Sequence, residues 1–117
     1  MHYRETTVWR KAIDMVRELY RLTPGLPKEE VYGVRSQITR AAVSVAANVA
    51  EGWTCESSKD KAHFLAIAHG SLAEPETLLT NCEELKWLRE EDTAELRSLV
   101  DEVSRMLTTM RRNRGQT

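Results

Sequence analysis

The sequence predicts an all-α protein, an antiparallel up-down-up-down four-helix bundle that occupies residues 1–117 as a single domain. Apolar residues recur at three- and four-residue spacing in four separate stretches, which is typical of amphipathic helices. The connections between these stretches are short, as they are in bundles. Helix-favouring residues dominate, whereas only five glycines and three prolines occur, and this composition favours helices.

The first helix is predicted over residues 5–23. Thr6 or Thr7 is a candidate cap, and the Pro24–Pro27 segment ends the helix because proline lacks the backbone N–H. The apolar face comprises Trp9, Ala12, Ile13, Val16, Leu19 and Tyr20.

The second helix, predicted over residues 30–52, is apolar on more than one side and ends at Gly52 as a candidate cap. A helix of this kind is buried on two sides. Ile38, Val45 and Val49 form the stripe expected to face the core. The candidates for a contact with another copy of the chain are Val43, Ala46, Ala47 and Ala50.

The third helix is predicted over residues 58–86, with Ser57 and Asp60 as a capping box at its start. Pro75 lies inside it and removes one backbone hydrogen bond, at a cost of about 3 kcal/mol. Because the apolar period stays in phase across Pro75, we expect a kinked helix and not two helices.

The fourth helix is predicted over residues 90–113, with a heptad seam on one side. The seam consists of Leu96, Leu99, Val103, Met106 and Met110. Acidic residues occupy its first turn and arginines its end, and both placements suit the helix dipole.

Polar side chains flank the apolar stripes of the second and third helices. They are Gln37, Ser44, Asn48, Glu51 and Glu74. Because buried polar groups need partners, we interpret them as a network that fixes helix register or a subunit interface, in preference to a binding groove.

Basic side chains are the candidates for nucleic-acid binding, although a solvated helix face is the simpler interpretation. The candidates are Arg10, Lys11 and Arg17 on the first helix and Arg111, Arg112 and Arg114 at the end of the fourth. The net charge of −1 argues against a protein whose whole surface binds nucleic acid, but it is compatible with a local basic patch.

No catalytic, cofactor or metal site is predicted. His63 and His69 are six residues apart and do not have the spacing of metal ligands on a helix. The sequence contains no glycine-rich phosphate loop and no nucleophile motif, and Cys55 and Cys82 form no CxxC pair. The polar N-terminus lacks the apolar region of a signal peptide, so we expect a cytoplasmic protein that does not insert into a membrane.

Three segments of the chain resemble a known family. Residues 32–52 read YGVRSQITRAAVSVAANVAEG, residues 8–23 read VWRKAIDMVRELYRLT and residues 64–79 read FLAIAHGSLAEPETLL. These segments are similar to those of the four-helix-bundle proteins named for intervening sequences in bacterial 23S rRNA genes. Pro75 departs from the family pattern, which usually has an apolar residue such as leucine there, and the departure puts the straightness of the third helix in doubt.

The resemblance implies a function as well as a fold. The family has no established enzymatic activity, and its members are similar to the accessory subunit of diversity-generating retroelements, a ring of five that binds a reverse transcriptase and nucleic acid. We therefore expect a non-enzymatic homo-oligomeric scaffold, a homopentamer, that engages RNA or an RNA-handling protein such as a reverse transcriptase. The alternative is a purely structural or protein–protein interaction module with no nucleic-acid role.

Overall fold

The computed structural model describes residues 2–30 and 32–115, with side chains as far as residue 113. In these residues the chain forms five α-helices and three short 3₁₀ turns. The helices are α1 (Thr7–Leu22), α2 (Val34–Thr54), α3 (Ser58–Ser71), α4 (Ala73–Glu84) and α5 (Glu90–Gly115), and the turns are Tyr3–Glu5, Thr23–Gly25 and Lys28–Glu30.

The five helices make four rods, because only Leu72 separates α3 from α4. α1 packs against α2 and α5, and α3 packs against the same two helices. α1 and α3 are therefore diagonal neighbours across one core. The prediction of an all-α four-helix bundle is confirmed.

Contacts between neighbouring rods run in opposite directions along the chain. Near the end of α2, a Cβ built at Gly52 would lie 3.3 Å from the Cβ of Phe64, whereas Ser44 in mid-helix faces Ser71 at the end of α3. α2 and α3 are thus antiparallel. The same reversed pairing relates α5 to α1 and to the α3–α4 rod, through Thr7 with Met110, Lys11 with Glu102, His69 with Ser104 and Glu83 with Thr93.

The core is built from medium-sized aliphatic side chains contributed by all four rods. Its largest fully buried hydrophobic members are Met15, Leu19, Ile38, Leu65, Leu79, Leu96 and Leu107. Two predicted caps are present, since the hydroxyls of Thr6 and Ser57 accept hydrogen bonds from the backbone N–H groups of Trp9 and Asp60. Each cap satisfies a donor that the first turn leaves unpaired.

The predicted limits of the second helix are wrong at both ends. Residues 28–30 form a 3₁₀ turn, and α2 begins only at Val34, after Gly33 leaves the helical region with φ −103° and ψ −114°. Gly52 is not a cap but a buried position inside α2, where α3 crosses so closely that a Cβ would meet the carbonyl oxygen of Lys61 at 3.4 Å. The glycine leaves room for the close helix crossing, and the C-terminal cap of α2 is Cys55.

The predicted third helix is interrupted, and the interruption lies one turn before Pro75. Pro75 has no N–H for the carbonyl of Ser71, so the regular ladder fails there, and the N–H of Leu72 bonds to the carbonyl of His69 instead, at 3.2 Å. Leu72 nevertheless keeps helical dihedrals, φ −67° and ψ −26°. Pro75 is buried in the first turn of α4, a position that proline tolerates well.

Candidate nucleic-acid and self-association surfaces

The outward side of α2 carries three of the four residues predicted to contact another copy. Val43 is 45% exposed, Ala47 is exposed and Ala50 is half-buried. Ala46 is 5% exposed and belongs to the core, so its assignment to this side is wrong. One residue turns a helix by about 100°, which is enough to turn Ala46 inward while Ala47 faces solvent.

α3 extends this surface beside α2. Ile67 is 38% exposed, and Gly70 is exposed with no heavy atom within 4 Å of where a Cβ would lie. We call Val43, Ala47, Ile67 and Gly70 the α2–α3 outer face. This face consists of small and apolar residues, and no other element of the described chain packs over it.

A short polar cluster joins the two helices at the edge of this face. The side-chain amide of Asn48 donates to the carbonyl oxygen of Ser44 at 2.8 Å and to its hydroxyl at 3.1 Å. The hydroxyls of Ser44 and Ser71 are 3.5 Å apart, and Ser71 donates to the carbonyl of Ile67 at 2.8 Å. The polar groups of the cluster find their hydrogen-bond partners within it, and the contact between Ser44 and Ser71 fixes the register of α3 on α2.

The predicted polar network is smaller than expected. It includes Ser44 and Asn48, whereas Gln37, Glu51 and Glu74 are exposed, and the described residues provide none of these three side chains with a hydrogen bond or an ion pair. These three positions face outward because the helices rotate them past the edge of the core. Their polar groups are therefore open to solvent.

The basic residues predicted on α1 are largely neutralised within the bundle. Arg10 lies 3.6 Å from the carboxylate of Asp14, and Lys11 lies 3.0 Å from Glu102 of α5, whose hydrogen bond raises the pKa of Lys11. Arg17 is exposed. Because most of these cations have acidic partners, α1 is a weaker candidate for phosphate binding than its composition indicates.

The arginines at the end of α5 have a different environment. Arg112 is exposed, and one guanidinium nitrogen of Arg111 lies 3.0 Å from Nδ1 of His69. Arg114 is within α5, but its side chain lies outside the described residues. Arg111 and Arg112 thus present positive charge that no described carboxylate neutralises.

The two ends of the bundle carry opposite charge. One end, built from residues 2–8, 51–63 and 105–113, has six lysines and arginines against four acidic residues, a formal charge of +2. The other end, built from residues 18–30, 32–36 and 76–97, has six lysines and arginines against ten acidic residues, a formal charge of −4. We call these the basic end and the acidic end. The net charge of −1 conceals this separation.

An apolar groove of about 590 Å³ opens at the basic end, between the start of α1 and the ends of α2 and α5. Trp53 lines it together with Val8, Met106 and Met110. The ammonium group of Lys61 lies 6.0 Å from the Trp53 ring centroid. Proteins that bind single-stranded nucleic acids combine aromatic rings, on which the bases stack, with neighbouring cations that contact the phosphates.

His69 makes contacts through both ring nitrogens and so connects α3 to α5. Its Nε2 lies 3.2 Å from the hydroxyl of Ser104, and its Nδ1 faces Arg111. Partial burial, and then the Arg111 charge, lower the pKa of His69, while Glu76 opposes the shift. Sequence reasoning missed this cluster because its members lie 35 and 42 residues apart.

The pair of Ser104 and His69 has the distance of a nucleophile and its base but the wrong protonation. Arginine only donates hydrogen bonds, so Nδ1 must accept, and the ring proton of the neutral histidine is then on Nε2, which donates to Ser104. A base for Ser104 would need a free lone pair on Nε2. Among the described residues, no group of three or more histidine, cysteine or acidic side chains is arranged to hold a metal ion.

The comparison with known families decides the classification. The sequence profile of the 23S rRNA-intervening sequence proteins matches residues 4–109. The chain belongs to this family. The predicted resemblance is therefore confirmed, whereas the link to diversity-generating retroelements stays a prediction.

A solved structure supports the fold of this family member. The crystal structure of a protein of unknown function from the S23 ribosomal protein family of Bacteroides thetaiotaomicron VPI-5482 is similar, with a TM-score of 0.82 and 21% sequence identity. The similarity covers 90% of this chain and 98% of that chain. At this identity it shows the fold alone. The search of curated proteins found no match.

None of the helices in the described part of this family member is long and apolar enough to cross a bilayer. The expected cytoplasmic location stays a prediction.

Proposed function

We propose that this protein is a non-enzymatic, self-assembling scaffold that binds structured RNA through the basic end of its bundle. The observation that carries the proposal is the separation of charge between the two ends. Phosphate contacts supply most of the sequence-independent affinity of nucleic-acid-binding proteins. A local formal charge of +2 meets that requirement although the whole chain is slightly acidic.

Two features of the basic end support RNA as the ligand. Arg111 and Arg112 stand at the end of a long helix without a carboxylate partner among the described residues, so no acidic side chain competes with phosphates for them. The groove lined by Trp53 opens at the same end of the bundle and provides an apolar surface for an unpaired base. Positive charge positions the backbone, and the aromatic groove favours a single-stranded loop.

Self-assembly through the α2–α3 outer face would strengthen this binding. Copies that share the outer face as their contact would present several basic ends to one RNA, and linked weak sites gain avidity. The ring of five copies that the family resemblance implies is the assembly we expect. The absence of a covering element over Val43, Ala47 and Gly70 in the described chain supports a contact there.

The non-enzymatic part of the proposal is supported by the protonation of His69. The nearest arrangement to a nucleophile–base pair has its proton on the nitrogen that faces the nucleophile. The described residues offer no metal cluster that could activate water in its place.

The test is binding of a structured RNA hairpin by wild-type protein and by a variant in which Arg111, Arg112 and Arg114 are serine. We expect the variant to bind more weakly, with the slope of log affinity against log salt reduced by about 2 to 3. A matched control changes three cations of the acidic end, Arg21, Lys28 and Arg89, to serine and should leave the slope unchanged. Wild-type protein that binds no RNA at low salt would refute the proposal.

The alternative function, a scaffold that contacts proteins only, is favoured by one observation. The cations of α1 that could extend the basic surface are paired with Asp14 and Glu102. Equal RNA affinity of the two triple variants, with assembly intact in both, would favour this alternative.

A further inference from the structure

His69 holds Arg111 through a single lone pair, and that lone pair is also where His69 takes up a proton. Ser104 receives the hydrogen on Nε2 at 3.2 Å, so Nδ1 is the unprotonated nitrogen of the neutral ring. The guanidinium of Arg111 donates to this nitrogen at 3.0 Å. A proton and Arg111 therefore compete for the same atom, and only one of them can occupy it.

The charges around His69 set the direction of this competition. Arg111 of α5 disfavours a positive charge on His69, whereas Glu76 of α4 favours one. Among the described residues of α2, which packs on the other side of α3, no charged group shifts the pKa of His69. Ser104 is neutral and donates or accepts equally well. Once Nδ1 is protonated, the hydrogen bond is lost and two cations about 3 Å apart repel each other.

We propose that His69 and Arg111 form a proton-gated phosphate-binding pair where Arg111 of the basic end reaches α3. The neutral histidine keeps Arg111 against α3, and the protonated histidine releases it. The released guanidinium and the new imidazolium can then both donate to RNA phosphates. The inference rests on the proposed RNA-binding function and adds its regulation by pH.

Protonation of His69 also affects the stability of the fold in the absence of RNA. A histidine with a lowered pKa in the folded protein binds fewer protons than it does in the unfolded chain, so its contribution to stability rises with pH. The contribution is complete above the ordinary histidine pKa of about 6.5 and is lost as pH falls toward the lowered value. The free energy of unfolding should therefore decrease on acidification through this range.

The first experiment follows the imidazole resonances of His69 by NMR as a function of pH. In wild-type protein we expect His69 to titrate below about 6.5, and in Arg111→Ala its pKa should rise toward that value. His63, which is exposed on the same helix and is unchanged in both proteins, is the spectroscopic reference. An unchanged His69 titration in Arg111→Ala would overturn the proposal.

The second experiment measures RNA affinity at pH 7.5 and 5.5 over a range of salt concentrations. Wild-type protein should bind more tightly at the lower pH, with a salt slope steeper by about 1 for each new phosphate contact, thus about 2. His69→Gln should lose most of this difference, because glutamine can donate to Ser104 and accept from Arg111 without changing its charge. His2 and His63, which belong to the basic end, are present in both proteins, so the comparison isolates the contribution of His69.

The outcomes separate the gate from the function on which it rests. RNA binding that is equally pH-dependent in wild type and His69→Gln overturns the gate and leaves the proposed function intact. Absence of RNA binding at both pH values overturns the proposed function and the phosphate-binding pair together. Melting curves of His69→Gln, which should match wild type at pH 7.5, establish that the substitution leaves the fold unchanged.

Discussion

Gly70→Ala is expected to stabilise the monomer and weaken the assembly. Glycine in a helix costs about 0.5–1 kcal/mol relative to alanine. No heavy atom lies within 4 Å of the Cβ that the substitution adds, and the φ of Gly70 is not positive, so nothing within the described chain opposes that gain. For 117 residues the gain corresponds to a rise of about 2–4 °C in Tm.

The opposite sign is expected for association, because the new methyl group would lie on the α2–α3 outer face. Tm should be measured at a dilution where the protein is monomeric, since association itself raises the apparent stability. Sedimentation then gives the dissociation constant of the assembly, which should increase.

Gly52→Ala is the contrasting variant, because its Cβ would meet Phe64 at 3.3 Å and the carbonyl of Lys61 at 3.4 Å. Crowding of this kind cancels or reverses the gain in helix propensity. A monomer destabilised by Gly70→Ala, or equal effects at the two glycines, would refute the reasoning.

Three further substitutions test other parts of the structure. Pro75→Ala should change the free energy of unfolding by less than about 1 kcal/mol in urea, because Pro75 lies in the first turn of α4; a gain near 3 kcal/mol would identify it as an interior proline. Val43→Lys combined with Ala47→Glu should dissociate the assembly in light scattering while changing monomer stability by under about 0.5 kcal/mol, and an unchanged oligomer would contradict the outer-face contact. Glu83→Gln should cost about 1.5–3 kcal/mol, because Glu83 accepts hydrogen bonds from Arg97 at 2.7 and 2.9 Å and is mostly buried; a cost below 0.5 kcal/mol would show that the pair is solvated.

The fold could be predicted because its determinants are local. Apolar spacing identified the helices, and Thr6 and Ser57 were recognisable as caps because a hydroxyl three residues before a free N–H is enough to make the bond. Gly52 shows the limit of such reasoning. A glycine at a helix end and a glycine at a helix crossing look the same in sequence, and only the position of Phe64 distinguishes them.

The candidate sites were harder to predict because they depend on how the rods are rotated and aligned. Ala46 and Ala47 are chemically identical neighbours, and which of them faces the core depends on the direction in which the adjacent helix lies. His69, Ser104 and Arg111 meet only once α5 has taken its register along α3. The charge separation also requires the topology, because it sums residues from segments far apart in the chain.

The charge separation along the bundle couples assembly to ligand binding. Copies placed side by side in the same direction would bring like charges together at both faces, and the mutual repulsion would grow with each added copy. A polyanion bound across the basic end would remove the repulsion at that end. If RNA binds a complete assembly more tightly than it binds a single copy, RNA must stabilise the complete assembly by the same free energy, because the two effects are thermodynamically linked. Assembly of this protein should then respond to salt and to polyanions in the same direction, without any change in the shape of the subunit.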